Sequence, residues 1–203
     1  MFCWEGYGKM EICENEYNKM EAIDSATKVI IDYLFTNNED LWKLLYYIEP
    51  NVLPLSQPNL TNAQKRNMIC TDPYATNENV DKNILFQTVT DEAFSTAIPQ
   101  IRIEIGDIVP LDRVRAYMYI DFQIVVPNKQ DIFTASYNPV ARRSDAIYRE
   151  LLKTFNGVNI PNSKFYSKMF QDRSSNAGRK TGSYRQQMNQ NFTGRWVTFA
   201  VLL

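Results

Sequence analysis

The chain has 203 residues, 44% of them hydrophobic and 22% charged, a balance that suits a globular protein able to bury its own core. It contains no histidine, which excludes Ser-His-Asp and Cys-His nucleophile pairs, His-ligated zinc and imidazole acid–base chemistry. The net charge of −1 hides a split: from Ala141 onward stand 11 basic and 3 acidic residues, net +8, and the preceding part carries net −9.

Cys3, Cys13 and Cys70 are an odd number without C-x-x-C spacing, so neither a disulfide framework nor a thiolate metal site is expected, only reduced thiols. No apolar run reaches the roughly 18 residues that span a bilayer. Met1-Phe2-Cys3-Trp4-Glu5 lacks the basic-then-apolar pattern of a secretory signal, which makes Asn59-Leu60-Thr61 and Asn191-Phe192-Thr193 chance sequons.

Taken in chain order, the first third is helical. Met20, Ile23, Thr27, Ile30, Ile31 and Leu34 recur at spacings of three and four, which predicts an amphipathic helix over residues 12–35. Thr36-Asn37-Asn38 breaks it and caps a second helix, with Glu39 and Asp40 in the first turn, a Leu41/Leu44/Leu45/Ile48 stripe, and Pro50 as the stop. A turn-rich connection, Asn51 to Pro58, leads to a capping-box pair, Thr61 and Gln64, that opens a short helix through about Ile69. Asp72-Pro73 and Thr76 to Asn83 read as loop, and Ile84 to Val89 as a short strand.

From Pro99 the period becomes two. Ile101, Ile103 and Ile105 alternate with polar residues in a strand ending near Gly106, and Val114 to Val126 sets Met118, Ile120, Phe122, Ile124 and Val126 on one face. Joined through Asp107 to Arg113, the two predict an antiparallel hairpin. Ser144 is the expected cap of a helix with an Ile147/Leu151/Leu152/Phe155 stripe, ended by Asn156-Gly157. Trp196 to Leu203 is strand-like, so residues 158–194 are expected to leave the core and return. The fold class is α+β: N-terminal helices, then a mainly antiparallel sheet with helices on one face. It forms one domain over 1–203, with a helical part at 1–70, a hairpin-plus-helix core at 99–157, an extended basic arm or loop at 158–194 and a last strand at 195–203.

Catalytic signatures are scarce. Asn176 to Ser183 superficially resembles a phosphate-binding loop, but Arg179 precedes Lys180, Ser stands at 174 where glycine is needed, and no buried strand leads in. Only 7 glycines are present and no dinucleotide fingerprint occurs. Glu104, Asp107 and Asp121 are the best candidates for holding a hard cation in phosphodiester chemistry. The lysine that a sheet-based nuclease wants two positions beyond its strand glutamate is missing, and the same residues also suit the polar face of a half-exposed sheet. No catalytic, cofactor or metal residues are assigned.

The basic stretch carries more. Lys164, Lys168, Arg173, Arg179, Lys180, Arg185 and Arg195 stand against Asp172 alone, net +6 over residues 164–195, and Phe165, Tyr166, Phe170 and Tyr184 are interleaved with them. With Arg142 and Arg143, these are the candidate residues for contacting DNA or a protein partner, by sequence-independent phosphate contact and stacking. A solvated loop, with Phe165 and Phe170 as satellite core, is the plainer use of the same segment. An acidic front and a basic back also suit head-to-tail self-association.

The order of these elements, with the phrases Val29-Ile30-Ile31-Asp32-Tyr33-Leu34, Asn38 to Leu45, Leu55 to Thr61, Pro99 to Ile103 and Tyr119 to Val126, resembles structural proteins at the head–tail junction of tailed bacteriophages: neck, connector, tail-completion and tail-terminator proteins. The resemblance covers most of residues 25–203, through Ser144 to Asn156 and Arg195 to Leu203. It departs in a longer Thr61 to Thr90 region and a longer Val158 to Gly194 excursion. It implies a hexameric or dodecameric ring around the DNA channel, touching portal or connector and tail-tube proteins and genomic DNA, with no membrane, no cofactor and no catalytic residue. It also implies manufacture in the host cytoplasm and residence in the virion. Two rivals stand beside it: a non-specific nucleic-acid-binding protein of phage replication, and a metal-dependent nuclease built on Glu104, Asp107 and Asp121.

Overall fold

The computed structural model describes residues 2–5, 9–12, 14–49, 52–70, 82–86, 98–112, 115–132, 142–161, 163, 165, 167–171, 184–189 and 191–203, with backbone only at 2–22, 24 and 184–189. Strands β1 (Phe2–Glu5) and β2 (Lys9–Ile12) form a two-stranded antiparallel ribbon ahead of helix α1 (Glu14–Asn37). Helix α2 (Glu39–Tyr46) follows after one residue, Asn38, whose side chain accepts from the Leu41 N–H as the capping argument requires. The helix ends at Tyr46, ahead of Pro50. A 3-10 turn at Pro54–Ser56 leads to α3 (Asn62–Asn67), where Thr61 and Gln64 complete the reciprocal capping box.

The main sheet runs β3–β4–β5–β8–β6, with β7 on the same edge of β8 as β6. Strand β3 (Ile84–Leu85) is parallel to β4; all other pairs are antiparallel, so the fold is α+β with a mostly antiparallel sheet. Strands β4 (Gln100–Pro110) and β5 (Ala116–Pro127) form the expected hairpin, but the strands run on past Asp107. Register moves from Ile105↔Ile120 to Ile108↔Met118, so one extra residue on β4 forms a bulge at Gly106-Asp107. The apolar positions change parity there, from 101, 103 and 105 to 108. The bulge keeps them all on one face.

That face is the core. Met118, Ile120, Phe122, Ile124 and Val126 of β5 are fully buried, as are Ile30, Leu34, Leu41, Leu45, Leu151 and Phe155 of the helices. Phe155 of α5 (Arg143–Phe155) packs against Phe122 at 5.3 Å and Phe199 at 5.8 Å between ring centroids, beyond what area alone contributes. Gly157, at φ +78, terminates α5 with no atom crowding it, the left-handed stop that Asn156-Gly157 predicts.

Three expectations need correction. Ser144 is not the cap of α5: the helix begins at Arg143, and the short helix α4 (Asn128–Asp131) supplies the cap instead, Asp131 Oδ1 accepting from Ser144 N at 2.9 Å. The segment after Val158 does not leave the core at once. Ile160, Phe165 and Met169 are buried, Val158 bridges Met169, and β6 (Phe170–Gln171) pairs with β8 (Phe192–Leu202). Beyond it, β7 (Tyr184–Asn189) also pairs with β8, which therefore starts at Phe192 and lies between β5 and these two short strands. The sheet's second face is not half-exposed at its centre either: Gln100, Arg102, Gln123, Val125, Thr198 and Ala200 are buried there.

Candidate functional site

Helix α5 gathers the basic candidates that lie in the described residues. Arg143 is enclosed completely; its Nε donates to Gln130 O at 3.0 Å, and its Nη1 to Leu44 O at 2.6 Å and Tyr47 O at 3.0 Å. Those last carbonyls close α2, so the guanidinium acts as a C-cap delivered by another helix and offers no surface to DNA or to a partner. Burial lowers Arg143 to about 10, against the opposing pull of Asp131, and the group stays charged at neutral pH. Arg142 is half-exposed and reaches Asp131 at 3.4 Å.

Arg195 on β8 lies against the same helix. Its Nη2 meets Asp145 Oδ1 at 3.2 Å, and its guanidinium covers the Tyr148 ring at 4.3 Å. The Tyr148 hydroxyl accepts in turn from Gln171 Nε2 at 3.1 Å, so helix α5, β8 and β6 are joined at one point. Arg185 is the register partner of Arg195 across β7 and β8. Lys168 is exposed. Lys164, Arg173, Arg179 and Lys180 fall outside the described residues. The structure adds one basic residue that the charge-run reasoning passed over: Arg149, exposed on α5 one turn beyond Asp145. Its helical position, with side chain outward between buried Ile147 and Leu151, is the signal that finds it.

The carboxylate candidates separate. Glu104 and Asp121 are register partners on β4 and β5, and Asp121 accepts a hydrogen bond from the Thr198 hydroxyl. Asp107 falls in the bulge and is exposed. Among the described residues, no group of three or more Cys, Asp or Glu is placed to hold a metal ion. Beside that pair, Arg102 donates to Gln123 Oε1 and to Gln100 Oε1, each at 3.3 Å, and burial lowers it to about 10. This is a buried polar strip across three strands, in which Arg102 Nη1 and Nη2 are hydrogen-bonded and its Nε is not, and it fixes register.

Two further contacts escaped the sequence reasoning. Lys65 is buried, with Nζ 2.5 Å from Glu39 Oε2 and over the rings of Phe35 and Trp42. Glu39 Oε1 also accepts from Leu60 N at 2.7 Å, tying α3 and its approach to the start of α2.

The geometry defines an α+β domain whose α2–α5 pair is braced by polar caps and which exposes Arg149 and Lys153 on α5 and Lys168 just ahead of β6. The chain belongs to the YomW family, whose model matches residues 38–200, from the N-cap of α2 almost to the end of β8. The family is named after a gene product of an SPBc2-like Bacillus phage, which marks the protein as phage-associated. No curated protein matches the chain. Among the described residues, no helix is long and apolar enough to cross a membrane.

Proposed function

We propose that this protein is a non-enzymatic component of the phage virion that assembles into a ring at the head–tail junction, around the DNA channel. The observation that carries the reading is the charge split, net −9 before Ala141 and net +8 after it, in a phage-associated fold. Several basic groups of the second part are used within the fold, namely Arg143 and Arg195 with Asp145, while Lys153 pairs with Glu150 at the surface. Among the described residues Arg149 and Lys168 remain exposed, and the sequence adds the basic run Lys164 to Arg185. In a ring of identical copies that surplus repeats at every subunit, giving a positive belt that holds DNA without reading its sequence. Neighbours in the particle would be portal or connector and tail-tube proteins.

The test has two parts. Mass measurement of the purified protein and labelling of this chain in intact particles should find a closed multimer and a position at the neck. A strict monomer absent from virions would end the reading. Replacing Arg179, Lys180 and Arg185 together by Ala should weaken DNA retention while leaving the fold intact. Tight, steeply salt-dependent oligonucleotide binding by the monomer would favour a replication protein instead, and Mg²⁺- or Mn²⁺-dependent cleavage would favour a nuclease.

A further inference from the structure

Asn156-Gly157, the stop of α5, is the one Asn-Gly pair in the chain. Such a pair carries a reaction of its own. Once a base takes the Gly157 amide proton, the nitrogen can attack Cγ of Asn156. The new N–C bond closes a succinimide ring, while the Cγ–Nδ2 bond breaks and the nitrogen takes up a proton to leave as ammonia. Water then opens the ring at either carbonyl. One opening gives aspartate, and the other gives isoaspartate, with the main chain rerouted through Cβ and Cγ. Glycine in second place favours the attack, because no Cβ shields its nitrogen and its backbone turns freely. Both residues are exposed, so water and base reach them.

The fold holds the reacting groups apart. Gly157 N donates to Met169 O at 2.7 Å, which keeps the proton on the nucleophile. Asn156 Oδ1 accepts from Gln171 N at 2.9 Å, which pins the side chain. Ring closure needs Gly157 N eclipsed with Asn156 Cβ, and the ψ of 118° at Asn156 turns it away. Both restraining groups come from the start of β6, on either side of Phe170. Met169 N also donates to Val158 O at 2.8 Å, and Phe170 and Gln171 pair with Ala200 and Phe199 of β8. A strand of 2 residues at the edge of a sheet opens far more readily than the core. The restraint on Asn156 therefore lasts as long as β6 stays docked.

We propose that Asn156 is a deamidation site that β6 holds shut and that reacts when β6 undocks. The two products differ in consequence. Aspartate keeps an oxygen for Gln171 N, so the turn closes again, with a negative charge at the end of α5 where the helix dipole disfavours one. Isoaspartate adds a carbon to the main chain between α5 and Gly157. That displaces Gly157 N from Met169 O and keeps β6 from redocking, so a transient opening becomes permanent. Since β6 leads in sequence into the basic residues Arg173 to Arg185, the change falls at the root of that segment. Nothing in this chemistry depends on how copies of the chain assemble.

The experiment incubates the full chain at mildly alkaline pH, folded and in urea, and follows Asn156 by peptide mass mapping, with circular dichroism to report the fold. Conversion of the folded chain should be about a hundredfold slower than in urea, as expected of a site reached by local opening. Gln171→Pro removes the N–H that holds Asn156 Oδ1 and should speed conversion of the folded chain about tenfold with an unchanged spectrum. Equal rates folded and in urea overturn the restraint, and no conversion in urea overturns the site. A Gln171→Pro variant that converts at the wild-type rate overturns the part given to β6. Should that variant unfold, hydrogen exchange at the wild-type Gly157 amide decides: slow exchange beside slow conversion supports the restraint, and fast exchange beside slow conversion overturns it. The isoaspartate form, once isolated, should exchange faster than unmodified chain at Met169 and Gln171; equal protection overturns the permanent opening.

Discussion

Arg143 Nη1 donates to the carbonyl of Leu44 at 2.6 Å, so the first residue of α5 caps the last turn of α2. The brace is reciprocal. Asn38, the N-cap of α2, donates from Nδ2 to Glu150 O at 3.0 Å and to Thr154 Oγ1 at 2.5 Å near the other end of α5. Arg143 thus satisfies carbonyls at the end of α2 inside the core, where water cannot, and the N-cap of α2 donates back to the C-terminal half of α5.

Arg143→Met should therefore be severe. It leaves the carbonyls of Gln130, Leu44 and Tyr47 without this donor and Asp131 without its buried counter-charge, at a cost of about 3 kcal/mol or more. Arg142→Ala removes a half-exposed pair and should cost about 1 kcal/mol or less. Urea unfolding of both variants checks the contrast; equal losses would show that Arg143 is not a cap.

The same burial sets a pH expectation. Burial lowers Arg143 and Arg102 from the ordinary guanidinium range to about 10. A base lowered by folding adds linkage stability only as pH climbs above about 10, where the unfolded chain still holds the proton and the folded one has released it. Below that window both stay charged in both states. The difference in melting temperature between wild type and Arg143→Met should be constant from pH 6 to 9, measured at fixed salt. A gap that changes steadily across that range would contradict the assignment.

At the opposite end of the brace, Asn38→Asp tests which half of the side chain matters. Aspartate keeps the cap on Leu41 N but cannot donate to Glu150 O or Thr154. We expect a loss of about 2 kcal/mol, close to that of Asn38→Ala, because the retained cap is offset by a carboxylate facing a carbonyl. Thermal denaturation of the two variants decides it; a wild-type-like Asn38→Asp would limit Asn38 to its own helix.

Local rules made much of this fold legible. Period-three-and-four apolar positions located α1, α2 and α5, the Thr61/Gln64 box located α3, and alternation around Ile120 and Ile103 located the central hairpin. The misreadings share one cause, which is a partner distant in sequence. Ser144 looks like a cap because Ser is a good one, but the helix starts at Arg143 and Asp131 takes Ser144's own N–H through a turn that no local pattern announces. Arg142-Arg143 reads as surface charge until Leu44, a residue 99 positions away, claims one of the pair. The Val158 to Met169 stretch, sparse in regular apolar spacing, still packs Ile160 and Phe165 because Met169 bridges back to Val158. Ile108 to Pro110 read as part of the Asp107 to Arg113 connection, because the bulge that carries β4 past Gly106 breaks the alternation that marks a strand.

Arg195 separates structural charge from contact charge. It joins α5 to β8 through Asp145 and the Tyr148 ring, and only 21% of its side chain is exposed. If that joint is its work, Arg195→Ala should cost about 1–2 kcal/mol of stability. Arg195→Lys should recover only part, since an ammonium cannot lie flat on the ring and reach the carboxylate with the same geometry. DNA retention per folded molecule should then be unchanged in either variant, in contrast to replacement of Arg179, Lys180 and Arg185. Chemical denaturation paired with filter binding gives both readouts. Loss of retention at full stability would instead make Arg195 part of the contact surface.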